Sequence, residues 1–207
     1  LKNITKRFPG VLALNSVNFN VMPGEIHALL GENGAGKTVL TNILSGRYTL
    51  DEGEIYIQGN KIDSTKWSAR DALEEGIGMV YQDFMLVEEH TVLENIALAD
   101  LSLPFIPNYN EIKKTIEDFG KKYQLDVDPE AKIWQLSVGE KQRVEIIKAL
   151  MHGSKVLIMD EPTAALTPQE AEDLFKIVRR LAEEGTAIIF ISHKLPEVFA
   201  ICDRITV

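Results

Sequence analysis

An apolar run, Ile26–Leu30, leads directly into Gly31-Glu32-Asn33-Gly34-Ala35-Gly36-Lys37-Thr38, and a helical pattern follows from Thr38 to Ser45, closed by Gly46. Glycine at the first and sixth positions, with Lys-Thr behind, lets the backbone wrap a polyphosphate closely, at positive φ where required. Successive amide N–H groups and the start of the helix then supply positive potential without mobile side chains. In that geometry Lys37 reaches the β- and γ-phosphates and Thr38 offers a hydroxyl to Mg²⁺. The alternative is a Gly-rich turn with a surface lysine. The strand before the loop and the helix after it argue against that alternative and for an α/β fold.

Short apolar runs alternate with helical patterns along the rest of the chain, which predicts a mainly parallel sheet. Strands are expected at the first residues, Val17–Val21, Ile26–Leu30, Glu54–Gln58, Ile77–Tyr81, Val156–Asp160, Ala187–Ser192 and Arg204–Val207, with a turn at Gly59-Asn60. Helices are expected over Arg70–Glu75, Val138–Met151, Pro168–Glu184 and Pro196–Ile201. Pro168 suits a first helical turn. Between Gln82 and Gln135 the character changes. Val92–Ala99 and Ile112–Leu125 are helical in period, and Pro104, Pro107 and Pro129 interrupt what lies between. The reading is one domain, with 1–82 and 136–207 forming an α/β core with an N-terminal β subdomain, and 83–135 a helical insertion.

Several polar residues fall where α/β proteins place ligands, at the ends of strands. Asp160 and Glu161 end an apolar strand. Asp160 would hold the Mg²⁺ shell and Glu161 would polarise a water attacking the γ-phosphate; the plain alternative is that they favour and cap a following helix. Gln82 has the reach to touch Mg²⁺ or that water, or is an ordinary loop glutamine. His193 follows a strand end, where histidines often only bond to backbone. Phe8 could stack on an adenine or belong to the core. Leu136-Ser137-Val138-Gly139-Glu140 opens a helix, and Ser137 with Glu140 completes a capping-box pattern. The segment could be only a helix start, yet a helix N-terminus with a serine hydroxyl is also a good phosphate ligand. The first loop already has its own helix, so this second anion site points to a different nucleotide.

With 207 residues, 45% of them hydrophobic and 26% charged, the chain has globular composition rather than that of a disordered segment. No apolar run approaches the roughly 18–20 residues of a membrane-spanning helix. A net charge of −9 advertises no basic face for nucleic acid. Lys113, Lys114, Lys121 and Lys122 sit among Glu111, Glu117 and Asp118 at helical spacing, as on a solvated mixed-charge face. The single cysteine, Cys202, excludes an internal disulfide framework and reads as a small core residue. The chain opens on Leu1 and reads as a fragment of something longer.

Taken together, the loop at 31–38, Gln82, Leu136–Glu140 with Gln142 and Arg143, Val156–Glu161 and His193 resemble the nucleotide-binding domain of an ABC transporter over essentially the whole chain. The resemblance implies an ABC ATPase fold, with a P-loop NTPase core, an antiparallel β subdomain and an α-helical insertion. It implies ATP with Mg²⁺, and catalytic roles for Lys37, Gln82, Glu161 and His193. Nucleotide contacts would come from Phe8, Gly31, Glu32, Asn33, Gly34, Ala35, Gly36, Lys37, Thr38 and Val39, and from Ser137, Gly139 and Glu140. Metal contacts would come from Thr38, Gln82 and Asp160. Two such domains would pack head to tail, so that ATP lies between the Gly31–Thr38 loop of one and the Ser137–Glu140 helix start of the other. The helical insertion would meet a membrane permease on the cytoplasmic face, an extracellular solute-binding protein would act indirectly, and no nucleic acid is expected.

The strings F-P-G-V-L-A-L, G-I-G-M-V-Y-Q-D-F-M-L-V, D-E-P-T-A-A-L-T-P and I-S-H-K-L are similar to ATP-binding subunits of monosaccharide or nucleoside importers, in their N-terminal copy of a tandem pair. Val39 stands where the family commonly has threonine, Val138 where it has glycine and Glu140 where it has glutamine. Ala165-Leu166-Thr167 lacks the usual aspartate. Competing readings are a soluble ABC ATPase acting on nucleic acid or ribosomes, an exporter domain, and a nucleotide-gated clamp with negligible turnover.

Overall fold

The computed structural model describes residues 1–99 and 108–207; Pro104 and Pro107, expected as helix breakers, lie outside the described residues. Among the described residues, ten strands and seven α-helices follow one another as β1 (Lys2–Phe8), β2 (Val11–Val17), β3 (Ile26–Leu30), α1 (Lys37–Leu44), β4 (Glu52–Glu54), β5 (Tyr56–Ile57), β6 (Asn60–Lys61), α2 (Ala69–Glu74), β7 (Ile77–Val80), α3 (Val92–Ala99), α4 (Tyr109–Tyr123), α5 (Val138–Met151), β8 (Val156–Asp160), α6 (Pro168–Glu183), β9 (Ala187–Ser192), α7 (Leu195–Ile201) and β10 (Arg204–Thr206). Five of the strands form a parallel sheet in the order β10-β3-β9-β8-β7. A second, antiparallel sheet runs β2-β1-β4, and β5 and β6 make a hairpin.

Side chains along the parallel strands alternate between two cores, as the period of two requires. Ile188 and Phe190 of β9, with Leu157 and Met159 of β8, face a layer built from α3, α4, α5 and α6. Ile189 and Ile191, with Ile158, face the opposite layer, where Leu40, Ile43 and Leu44 of α1 meet Ile4, Leu14 and Ile55 of the β subdomain. All six residues of β9 are buried, which is why this stretch reads as a continuous apolar run. Each fully buried Ile or Phe there contributes about 1.5–3 kcal/mol relative to exposure.

Two expectations fail, both in the β subdomain. The strand expected at Val17–Val21 lies at Val11–Val17, paired antiparallel with β1 from Phe8↔Val11 to Ile4↔Val17. Beyond Val17 the Asn18 side chain takes over from the ladder, its Oδ1 accepting the Asn3 N–H at 2.9 Å. The strand expected at Glu54–Gln58 breaks at Ile55. Its first part joins β1, and its second turns back on β6 through Gln58-Gly59, not Gly59-Asn60. Both turn residues take positive φ, 51° and 82°, as a two-residue hairpin loop of this hand requires.

Elsewhere the expected elements stand, with boundaries within a few residues. The lysines of α4 make surface ion pairs, Lys113 with Glu130 at 3.0 Å and Lys122 with Glu184 at 2.5 Å. Cys202 is half-buried, and burial pushes its thiol up to about 12, which keeps it protonated and unreactive.

Candidate functional site

The loop after β3 is shaped by two glycines in the left-handed region, Gly34 at φ 90° and Gly36 at φ 94°. Gly36 is the N-cap of α1, and among the described residues no side chain caps that helix. Its first-turn N–H groups are therefore left for an anion. A Cβ on Gly36 would sit 2.9 Å from the Ala13 carbonyl of β2. Gly36→Ala combines that collision with about 1–2 kcal/mol of left-handed strain. At this chain length it should lower the thermal unfolding midpoint by about 2–8 °C. An unchanged midpoint would mean the loop relaxes freely.

The Lys37 ammonium donates to the carbonyls of Gly31 at 2.8 Å and Glu32 at 3.0 Å, so the loop's own backbone holds it over the cradle. Glu32, Asn33, Gly34, Ala35 and Thr38 are exposed.

Asp160 ends β8, and Glu161 follows at φ 46°, a left-handed conformation uncommon for a residue with a Cβ. Its N–H donates to the Ile191 carbonyl of β9 at 3.0 Å, so the neighbouring strand holds the kink in place. The Glu161 Oε1 then meets Nδ1 of His193, just past β9, at 2.9 Å. A carboxylate can only accept, which assigns the proton to Nδ1. Burial, then the adjacent Glu161 charge, pushes the Asp160 carboxyl above its ordinary range, while Lys37 pulls the other way. The Asp160 carboxylate thus lies within the field of the phosphate-loop ammonium. Among the described residues no group of three or more His, Cys, Asp or Glu could hold a metal alone. Mg²⁺ takes one or two protein oxygens and completes its shell with phosphate and water. The residues present fit that ion, with the Thr38 hydroxyl and the Asp160 carboxylate as the oxygens that would hold it.

Gln82 is exposed just past β7. The tract behind it is held by side chains. Glu145 of α5 accepts the Met85 N–H at 2.8 Å and Lys148 donates to the Met85 carbonyl at 3.0 Å. Asn95 of α3 takes both backbone groups of Val87, at 2.7 and 3.1 Å. Phe8 lies half-buried at the turn end of β1, its ring edge-on to Tyr48 at 5.7 Å.

Ser137 caps α5 through a complete capping box. Its Oγ accepts the Glu140 N–H at 3.3 Å and its N–H donates to Glu140 Oε2 at 2.8 Å. The carboxylate of Glu140 is thereby folded back onto its own helix start. The Glu170 carboxylate packs against Gly139, where a Cβ would lie 2.7 Å from Oε1. The helix-capping reading of this segment is thus realised in full. The two helix starts also lie on opposite faces of the sheet, because α1 packs in one core and α5 in the other.

A family model described as ABC transporter matches residues 14–164. The chain belongs to the ABC transporter family. Three curated relatives are similar over nearly all of this cassette. They are the glucose import ATP-binding protein of Haloferax volcanii at 44% identity, the ribose import ATP-binding protein of Rubrobacter xylanophilus at 48%, and the nucleoside import ATP-binding protein of Lactococcus lactis at 48%. The alignments cover 100%, 100% and 99% of this chain but 42%, 41% and 40% of those proteins, so the chain spans about two fifths of their length. Among solved structures, the ADP conformation of an ATP-binding cassette of an ABC transporter superposes with TM-score 0.85 at 29% identity, covering 99% of this chain and 84% of that one. A dimeric bacterial ABC transporter cassette gives 0.83 at 29%, covering 99% and 91%. The P-loop NTPase core, antiparallel β subdomain and helical segment of the ABC ATPase fold are all present.

Within this ABC cassette, the strand ends bring Lys37, Asp160, Glu161 and His193 into one neighbourhood, and leave Ser137, Gly139 and Glu140 in the other layer. Val39, the residue in place of threonine, packs half-buried against the second core. Sequence reasoning gave no role to three further residues, of which Thr163 lies inside the D-E-P-T-A-A-L-T-P string and bonds Glu197. Glu170 occupies the α5 N-terminus, Thr163 follows the Asp160-Glu161 pair, and Glu197 lies four residues past His193. The Thr167-Pro168-Gln169-Glu170 capping pattern was the one available signal for Glu170. For Glu197, only its place in the first turn of a short helix beyond a strand end pointed inward.

Proposed function

We propose that the chain is the ATP-binding and ATP-hydrolysing cassette of an importer for a monosaccharide or nucleoside, working at the cytoplasmic face of the membrane. The observation that carries this reading is the strand register. Leu30 lies beside Ser192, Asp160 beside Ile191 and Val80 beside Met159, so the loops bearing Lys37, His193, Glu161 and Gln82 all leave the same end of adjacent strands. Lys37 and the amides of residues 31–38 bind the phosphates, with Val39 contributing its N–H. Asp160 and Thr38 supply oxygens for the metal. Glu161 takes the water's proton, and His193 orients Glu161. Bound Mg²⁺ supplies charge neutralisation on the phosphate oxygens. Gln82 reaches in from the end of β7, and Phe8 stacks on the adenine.

Ser137 and Gly139, on the far face of the sheet, serve the nucleotide of a second cassette packed head to tail. Residues 83–135 meet the permease, and an extracellular solute-binding protein acts through it. Among the described residues no helix is long and apolar enough to cross a membrane. The glucose, ribose and nucleoside import proteins among the relatives support the solute class. The net charge of −9 weighs against a nucleic-acid partner.

The test uses the complete polypeptide with Mg²⁺-ATP. Turnover should rise when permease-containing membranes are added and stay flat with DNA or RNA. Stimulation by nucleic acid alone would overturn the import reading.

A further inference from the structure

The carboxylate of Glu197 on α7 collects donors from both loops that carry the Glu161–His193 pair. Thr163 Oγ1 donates to Glu197 Oε2 at 2.7 Å, and Ser192 Oγ reaches the same oxygen at 3.3 Å. Lys194 Nζ donates to Oε1 at 3.0 Å. The Lys194 N–H donates to Ser192 Oγ at 3.0 Å, and its ammonium lies 3.4 Å from the Thr163 carbonyl. Thr163 and Ser192 are each 3% exposed, so neither hydroxyl can turn to water as an alternative partner. Thr163 stands two residues beyond Glu161, and Ser192 stands one before His193.

A residue with a Cβ keeps positive φ only where its surroundings over-determine it. Glu161 is held from behind by the Ile191 carbonyl and from ahead by the Ala164 N–H, which donates to its own carbonyl at 3.0 Å. Thr163, tied to Glu197, fixes the exit of that turn. We infer that Glu197 is a positioning residue that sets the Glu161–His193 contact by pinning both loops to one carboxylate. This rests on the proposed roles of Glu161 and His193. The bland account is a helix-start ion pair between Lys194 and Glu197, three residues apart. On that account Thr163 is a bystander.

The experiment uses the complete polypeptide with ¹⁵N-labelled histidine rings and compares Thr163→Val, Thr163→Ser and Glu197→Gln. Valine keeps the volume of threonine and removes the donor. In Thr163→Val the His193 ring signals should move away from those of an Nδ1–H bonded to carboxylate. Turnover of Mg²⁺-ATP should fall about 10–100-fold, the scale of a misplacement near 1 Å, with KM within about twofold. Thr163→Ser should restore both. If Thr163→Val does not fold, Glu197→Gln gives the same readings.

Unchanged ring signals in a folded variant would overturn the inference, whether or not turnover falls, because the effect would then bypass the contact. Glu161→Gln separates the two claims. Parent-level turnover in that variant removes the catalytic reading of Glu161, while the Thr163→Val ring signals still decide the role of Glu197 without reference to turnover.

Discussion

Glu161→Gln should bind ATP at least as well as the parent and hydrolyse it about 10²–10⁴-fold more slowly, the range associated with loss of a positioned general base. The amide keeps the shape of the side chain and an oxygen to face Nδ1 of His193, now 2.9 Å away, so the loop geometry should survive. What disappears is the negative charge that, in the proposed role, takes a proton from the attacking water. The same charge is the second cause, after burial, holding the Asp160 carboxyl up. Removing it lets Asp160 ionise more readily, in the direction that favours a bound cation. Calorimetry with Mg²⁺-ATP and single-turnover hydrolysis therefore move in opposite directions. Turnover within a few fold of the parent would remove Glu161 from the chemistry, and a parallel collapse of binding would mean the substitution had disturbed the loop.

This divergence between binding and turnover follows from where the strands end, and that was only half visible in the residues. Each motif announced its own strand: Ile26–Leu30 before the glycines, Val156–Asp160 before Glu161, Ala187–Ser192 before His193. Apolar runs of five or six residues bounded by Gly, Pro or charge are readable because a fully buried strand has no polar face to confuse the pattern. The order of those strands is not local information. β9 lies between β3 and β8, although the chain visits β3, then β8, then β9. The meeting of Glu161 with a histidine 32 residues away depends wholly on that order. The residues alone pointed to Glu161 as the group that polarises the water, but left His193 as an ordinary strand-end histidine, whose role came from the family resemblance.

The β subdomain was less legible for a different reason. Its two longest strands are mostly exposed or half-buried, and the turn expected at Gly59-Asn60 starts one residue earlier, at Gln58 with φ 51°. A one-residue shift in a turn costs nothing in composition and moves every side chain of the hairpin to the other face. The segment at Ser137–Glu140 shows the opposite limit. Its capping box was readable to the residue, because Ser and Glu three apart at a helix start satisfy each other locally. Yet that local completeness conceals the wider assignment. The helix start that looks finished within one chain lies across the sheet from the phosphate loop, a placement that its local pattern does not reveal.

Lys37→Ala should weaken Mg²⁺-ATP binding by about 10–100-fold, since a hydrogen bond to a charged group contributes about 1.5–3 kcal/mol. Residual turnover should fall by about 10²–10³-fold, the scale for removing a preorganised charge from the transferring group. The lysine is half-buried, and two of its three protons are spent on the carbonyls of Gly31 and Glu32. Those oxygens lie in an exposed loop where water can replace the ammonium, so the fold should lose little. The thermal midpoint without nucleotide should stay within about 2 °C of the parent, because surface changes of this kind are usually within ±0.5 kcal/mol. The stabilisation normally added by saturating ATP should largely vanish, since ligand stabilisation scales with the logarithm of concentration over Kd. Thermal shift with and without Mg²⁺-ATP thus separates a lost ligand contact from a damaged loop. A variant that binds ATP as the parent does would show that the amides and helix start hold the triphosphate without the ammonium. The cradle would then be a backbone site alone, and the place of Lys37 beside Asp160 and Glu161 would need another explanation.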